Sequence, residues 1–147
     1  VEMSGIPFGL MSETLDARNT YRGMMYGMLP RLPWSGNPVP LWGLWDSFGM
    51  KDAVMRGYWD ERCPVKTDNP NIPATVYIHG DKALVVLANW TDLPQTANIT
   101  LDEQLLGFKP VSYTLPEIRN MQWEGKLSAL KQCELMGRGG MIILLEK

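Results

Sequence analysis

Two cysteines and one histidine are all that this 147-residue chain has of the side chains most used for metal ligation and nucleophilic catalysis. Cys63 and Cys133 are too few for a disulfide framework or a structural zinc site, so no metal and no cofactor is expected. A basic excess is missing as well. Lys and Arg number 14 against 16 Asp and Glu, a formal net charge of −2. Nucleic acids and anionic membrane surfaces call for such an excess, so neither is an expected partner. Long apolar runs are absent too. The longest, residues 83–88 and 141–145, fall far short of a bilayer span. What remains is a globular composition, 45% hydrophobic and 20% charged, of a size for one domain with or without an appendage.

The same scarcity limits the chemistry that can be read from motifs. His79 has no partner at a telling spacing and reads as an exposed turn residue at a strand end. No G-x-S-x-G elbow is present. Cys63 and Cys133 read as ordinary free cysteines. Asp60-Glu61 and Asp102-Glu103 are neighbouring carboxylates. Sequence neighbours on a strand point to opposite faces, and Asp102 suits a helix N-cap. Gly137-Arg138-Gly139-Gly140 lacks the Lys-Ser/Thr of a phosphate loop and reads as a turn. Asn89-Trp90-Thr91 and Asn98-Ile99-Thr100 match the glycosylation sequon, which matters only in a eukaryotic secretory setting. No catalytic residue is assigned. Among six tryptophans, Trp34 falls on a loop before Ser35-Gly36-Asn37 and is the best suited to stack on a sugar. Trp42 and Trp45 read as core.

Composition changes near residue 70. The earlier part holds seven of the ten methionines and is interrupted by proline. From residue 23 to 45 the only charge is Arg31, among three Trp, three Met, four Leu and four Pro. Exposed, such a stretch would form a large apolar patch, so it is expected to pack against something. A missing upstream domain is the simplest cover, and Val1 opens the chain in mid-pattern with no signal-peptide features. A mature secreted protein would begin the same way, so location stays open, the periplasm or exterior included. Residues 39–48 predict a helix, with Pro40 in its first turn, Gly49 at its end and Leu41, Leu44, Trp45 and Phe48 on one face. Residues 20–28 read as strand or helix, both weakened by Gly23 and Gly27.

Residues 67–73, TDNPNIP, predict a turn or linker. Beyond it the pattern has period two. Residues 74–79 and 82–90 predict a hairpin about Gly80-Asp81. Residues 95–101 alternate as a half-buried strand, and residues 102–107 predict one helical turn between Asp102 and Gly107. Residues 111–115, 119–123, 129–134 and 140–146 are further strands, the last nearly continuous in apolar residues and therefore central. Turn spacing of about ten residues predicts an antiparallel β-sandwich. Its expected core is Val76, Ile78, Leu84, Val86, Ile99, Leu101, Val111, Tyr113, Ile143 and Leu145. It is expected to fold without the first 70 residues.

Four blocks, in order, carry a resemblance: VEMSGIPFGLMSE, YRGMMYGMLPRLPWSG, PLWGLWDSFGMKDAVMRGYWD and CPVKTDNP. Together they resemble the C-terminal region of large bacterial glycoside-hydrolase-like proteins related to family 123. The resemblance covers residues 1–70; beyond that it is one of pattern. It implies a mainly β chain, with remnant strand and helix elements of a (β/α) barrel in residues 1–70 and an accessory β-sandwich in residues 71–147. It implies that the sandwich packs on the upstream catalytic domain of the same polypeptide, through which carbohydrate is bound. Family 123 catalysis depends on an acidic pair assisted by the substrate's acetamido group, and that pair is expected upstream of Val1. Glu13, Arg22 and Tyr26 fall where barrel loops would face a sugar. The alternative is a free-standing carbohydrate-binding or protein-interaction module.

Overall fold

A computed structural model describes residues 21–28, 39–119 and 121–147. Its centre is a six-stranded antiparallel sheet, in the order β1-β3-β4-β10-β7-β8. These strands are β1 (Val54–Arg56), β3 (Ala74–His79), β4 (Lys82–Ala88), β7 (Ser112–Leu115), β8 (Gly125–Leu127) and β10 (Gly140–Glu146). Two small antiparallel pairs complete the β structure. One joins β2 (Val65–Thr67) to β6 (Ile99–Leu101), the other β5 (Gln95–Ala97) to β9 (Cys133–Leu135). Helix α1 (Val39–Phe48) has the expected limits. A short helix, α2 (Glu103–Leu106), is capped by Asp102, which accepts from the Gln104 and Leu105 N–H groups at 3.0 and 3.1 Å. Gly107 closes it at φ +92°, a left-handed conformation that favours glycine.

The central sheet is covered on both faces. On one, Ala74, Val76, Ala83, Val85, Leu87, Ile143 and Leu145 pack against Val65, Ala97, Ile99, Cys133 and Leu135 of the small pairs. On the other, Tyr77, Leu84, Val86 and Ile142 pack against Met24, Met25, Leu41, Phe48, Met50 and Ile118. Two covered faces explain why β4 and β10 read as nearly unbroken apolar runs. The hairpin pairs as expected, His79 with Lys82 at its end, and β10 lies between β4 and β7.

Several expectations change. Leu84 and Val86 belong to the second core, because alternate residues of a strand face opposite ways. Val111 is 78% exposed; its N–H bonds to the carbonyl of Glu146, the end of the β10 pairing, and no strand covers it. The expected strand at 95–101 divides at Asn98 into β5 and β6, which join different partners. Asn98 makes the break: its amide donates to Asp68 at 2.7 Å and its carbonyl accepts from the Gln132 N–H at 2.9 Å. Among the described residues of 119–123 there is a turn instead of a strand, closed by a bridge between Ile118 and Gln122. Of residues 129–134, only Cys133 and Glu134 enter a strand, since Gln132 takes φ +53°. Residues 20–28 contain a single 3-10 turn, Gly23–Tyr26, closed by Gly27 at φ +79°; Thr20 lies outside the described residues.

The second core answers the expectation that the first 70 residues are dispensable. Met24, Met25, Leu41, Phe48, Met50 and Met55 are buried in it, and Cys63 and Val65 in the first core. The N-terminal part therefore supplies core on both sides of the sheet.

Candidate functional site

Residues 21–28 lie across the second face of the sheet, and their attachment is specific. Thr75 and Tyr77 are neighbours of alternate register on β3, both facing this side and both fully buried. The Thr75 hydroxyl donates to the Met25 carbonyl at 3.0 Å, and the Tyr77 hydroxyl donates to the Met24 carbonyl. Two consecutive carbonyls that a strand would have paired are thus satisfied by side chains. At one end the Tyr21 hydroxyl donates to the Met121 carbonyl at 3.2 Å, and burial pushes that phenol up to about 12. The Tyr21 ring lies against Gly140, where a Cβ would come within 2.3 Å of ring Cγ. A side chain at Gly140 would close the space that Tyr21 needs.

At the other end, residues far apart in the chain form an aromatic cluster. The Tyr26 ring stacks on Trp59, with centroids 5.8 Å apart and planes at 19°. Tyr58 is edge-on to Trp59 at 5.1 Å, to Tyr26 at 6.1 Å and to Trp90 at 6.4 Å. The Tyr26 and Tyr58 hydroxyls are 3.3 Å apart. The Arg22 guanidinium lies 5.8 Å from the Trp90 ring centre, a cation–π contact, and its buried Nε has no hydrogen-bond partner among the described residues. All five side chains are half-buried.

Of the sequence candidates, Arg22 and Tyr26 are therefore brought together with three partners. Glu13 and Trp34 lie outside the described residues. Tyr58, Trp59 and Trp90 escaped notice as cluster members because they stand more than 30 residues from Tyr26. The one sequence signal is that Tyr58 and Trp59 are adjacent, just before Asp60.

The remaining candidates have structural duties. Asp60 accepts from the Arg62 N–H at 2.9 Å and pairs with its guanidinium, and these bonds hold its carboxyl below the usual carboxylate range. It is ionised at neutral pH and has no proton to give. Glu61 is exposed. Cys63 and Cys133 are buried free thiols, pushed up by burial away from the reactive thiolate. Trp45 packs edge-on against Tyr77 at 5.3 Å, while Trp42 is half-buried and outside both cores.

His79 is not an exposed turn residue. It is half-buried, and its Nδ1 lies 2.9 Å from the Phe48 carbonyl. A carbonyl only accepts, so Nδ1 carries the proton and ties the end of α1 to β3. The Asn89 of the first sequon is fully buried. Its amide donates to the Leu93, Leu135 and Met136 carbonyls, and its carbonyl accepts from the Thr91 N–H and hydroxyl. Asn98 of the second is engaged with Asp68 and Gln132. Both are fold-holding amides. In the Gly137–Gly140 segment, Arg138 takes φ +58° and pairs with Asp92. A Cβ on Gly137 would fall 2.1 Å from the Asp92 carbonyl oxygen, so the glycine there answers to close packing.

Among the described residues no group of three His, Cys, Asp or Glu stands close enough to hold a metal ion, and no helix is long and apolar enough to cross a membrane. The polar assembly at residues 21–28 is one of attachment, with hydroxyls on carbonyls and aromatic rings on aromatic rings. Comparison with family models matches residues 37–146 to the glycoside hydrolase 123 C-terminal domain and residues 1–33 to the glycoside hydrolase 123 TIM-barrel domain. No curated protein matches the chain.

Proposed function

Because the chain belongs to the glycoside hydrolase 123 family, we propose that its β-sandwich packs on a catalytic barrel of the same polypeptide and holds the end of that barrel in place. Carbohydrate is then bound through the barrel. The supporting observation is the attachment of residues 21–28. They fall in the stretch that matches the barrel, and they are fastened to β3 of the part that matches the C-terminal domain. Buried hydroxyls, a buried Met pair and an aromatic cluster suit a permanent junction. A (β/α) barrel positions its catalytic groups from the ends of several strands, so an anchored final segment fixes part of the cleft wall. On this reading Arg22 and Tyr26 serve the junction first, and touch a sugar only where the barrel's cleft reaches the aromatic cluster. Glu13, in the stretch that matches the barrel, and Trp34, just beyond it, remain proposed sugar contacts.

Glycosidic cleavage needs a proton donor and a second group stabilising the oxocarbenium-like transition state. Asp60 is no such donor, since its bonds to Arg62 favour the ionised carboxylate. The purified chain is therefore expected to leave aryl glycosides, N-acetylhexosaminides included, uncleaved. A longer polypeptide carrying the barrel is expected to cleave at least one of them, and Thr75→Val in it is expected to lower both melting temperature and turnover. Turnover by the chain alone that Asp60→Asn with Glu61→Gln abolishes would sink this reading.

A further inference from the structure

The turn between β7 and β8 is fixed from several directions. The Ile118 N–H donates to the Gln122 carbonyl, and the Met121 and Gln122 N–H groups donate to the Ile118 carbonyl, each at 2.9 Å. Ile118 is 1% exposed and roots the turn in the second core. The Gln122 amide donates to the Pro116 and Ile142 carbonyls at 3.0 and 2.8 Å, and its carbonyl accepts from the Ile142 N–H at 2.9 Å. A glutamine used on three sides fastens the described residues of the turn to β10.

On that turn Trp123 is 87% exposed. It borders a cleft of about 350 Å³ lined also by Glu117, Arg119 and Met121. Among the described residues the side chains of Trp123, Glu117 and Arg119 have no hydrogen bond, ion pair or ring contact. An indole left in water forgoes roughly 25 cal/mol for each Å² it would bury. Among the described residues nothing recovers that area. A bare aromatic face, one acceptor and one donor thus border one cleft, on a backbone held by Ile118 and Gln122.

The chemistry of the lining selects the ligand class. The ring needs a flat apolar face, the Glu117 carboxylate needs donors, and the Arg119 guanidinium needs acceptors. An anion would meet Glu117 and a cation Arg119, so neither is favoured. A pyranose has a C–H face for the ring and hydroxyls that both donate and accept. We propose that Trp123, Glu117 and Arg119 form a sugar-binding site on the sandwich itself. The choice of a sugar among hydroxylated rings rests on the glycoside hydrolase reading above; the site's geometry does not.

The intact chain would be titrated with N-acetylhexosamine oligomers and, in parallel, with neutral hexose oligomers, following tryptophan fluorescence and heat. Saturable binding to one series is expected. Trp123→Ala is expected to weaken it at least ~10-fold, about 1.4 kcal/mol, with an unchanged melt because the side chain packs on nothing. Trp123→Phe should recover part of the affinity, and Glu117→Gln or Arg119→Gln should each weaken it several-fold. No saturable response to either series, or undiminished affinity in Trp123→Ala, overturns the proposal. So does shielding of Trp123 from acrylamide in a longer, barrel-bearing polypeptide that no longer answers to sugar, which would make the turn a barrel contact. Hydrolysis does not enter these measurements, so their failure leaves the anchoring role standing.

Discussion

Thr75 and Tyr77 show how single hydroxyls decide an attachment. Each is fully buried, and each meets a main-chain carbonyl of a segment about 50 residues away. Thr75→Val keeps the shape but removes the donor to the Met25 carbonyl and the acceptor of the Tyr58 N–H; Tyr77→Phe leaves the Met24 carbonyl with only the Gly27 N–H, at 3.5 Å. Each is expected to cost about 1–3 kcal/mol in equilibrium unfolding, because a buried polar group loses a hydrogen bond that compensates it for leaving water. Asp68 offers a test by pH. The Asn98 N–H at 2.8 Å, and then its amide, hold the Asp68 carboxyl below its ordinary value. The folded value lies below the unfolded one, so the stabilisation is full above about pH 5 and is lost as pH falls through the folded value. Asp68→Ala should therefore lower the melting temperature at neutral pH, with the gap closing below about pH 4. The pair is exposed, so high salt should shrink the effect.

Among the elements, α1 and β3 are joined by a contact that neither pattern foretold. Helix periodicity and the Pro40 and Gly49 signals fixed the limits of α1. Its partner was hidden, since a lone His at a strand end carries no mark of what it will meet. Gly49 takes φ +83°, and a Cβ there would lie 2.7 Å from His79 Cε1. Gly49→Ala should cost about 1–2 kcal/mol from backbone strain alone, plus the clash. In His79→Ala the clash is gone, so the double variant should cost less than the sum of the single ones in a double-mutant cycle. Strands divide the same way. Long runs with two covered faces, β3, β4 and β10, were legible because all but their end residues are apolar or β-branched. Three-residue strands such as β1 and β2 were not, because Arg56 and Lys66 interrupt them and their pairing is set by distant partners. The aromatic cluster was illegible for a related reason: its members meet only once residues 21–28 lie across the sheet.

At the scale of the whole molecule, two cores share one sheet, and the chain before residue 70 contributes to each. Truncation to residue 70 is therefore expected to abolish the cooperative thermal transition, followed by circular dichroism. Leu41, Phe48, Met50, Met55 and Val65 would be removed from buried positions, at about 2–5 kcal/mol for each large apolar side chain lost. Together that matches or exceeds the total stability of an ordinary domain, about 5–15 kcal/mol. The place of β10 has a separate consequence, for synthesis. The ribosome delivers β4 long before β10, and β4 waits beside β3 with one edge bare. Seven residues rich in Leu, Val and Ala, unpaired on that edge, are a template for any strand that passes. A message cut short before the codon for Gly140 would thus yield a product prone to aggregate, recognisable to chaperones and proteases by that open edge.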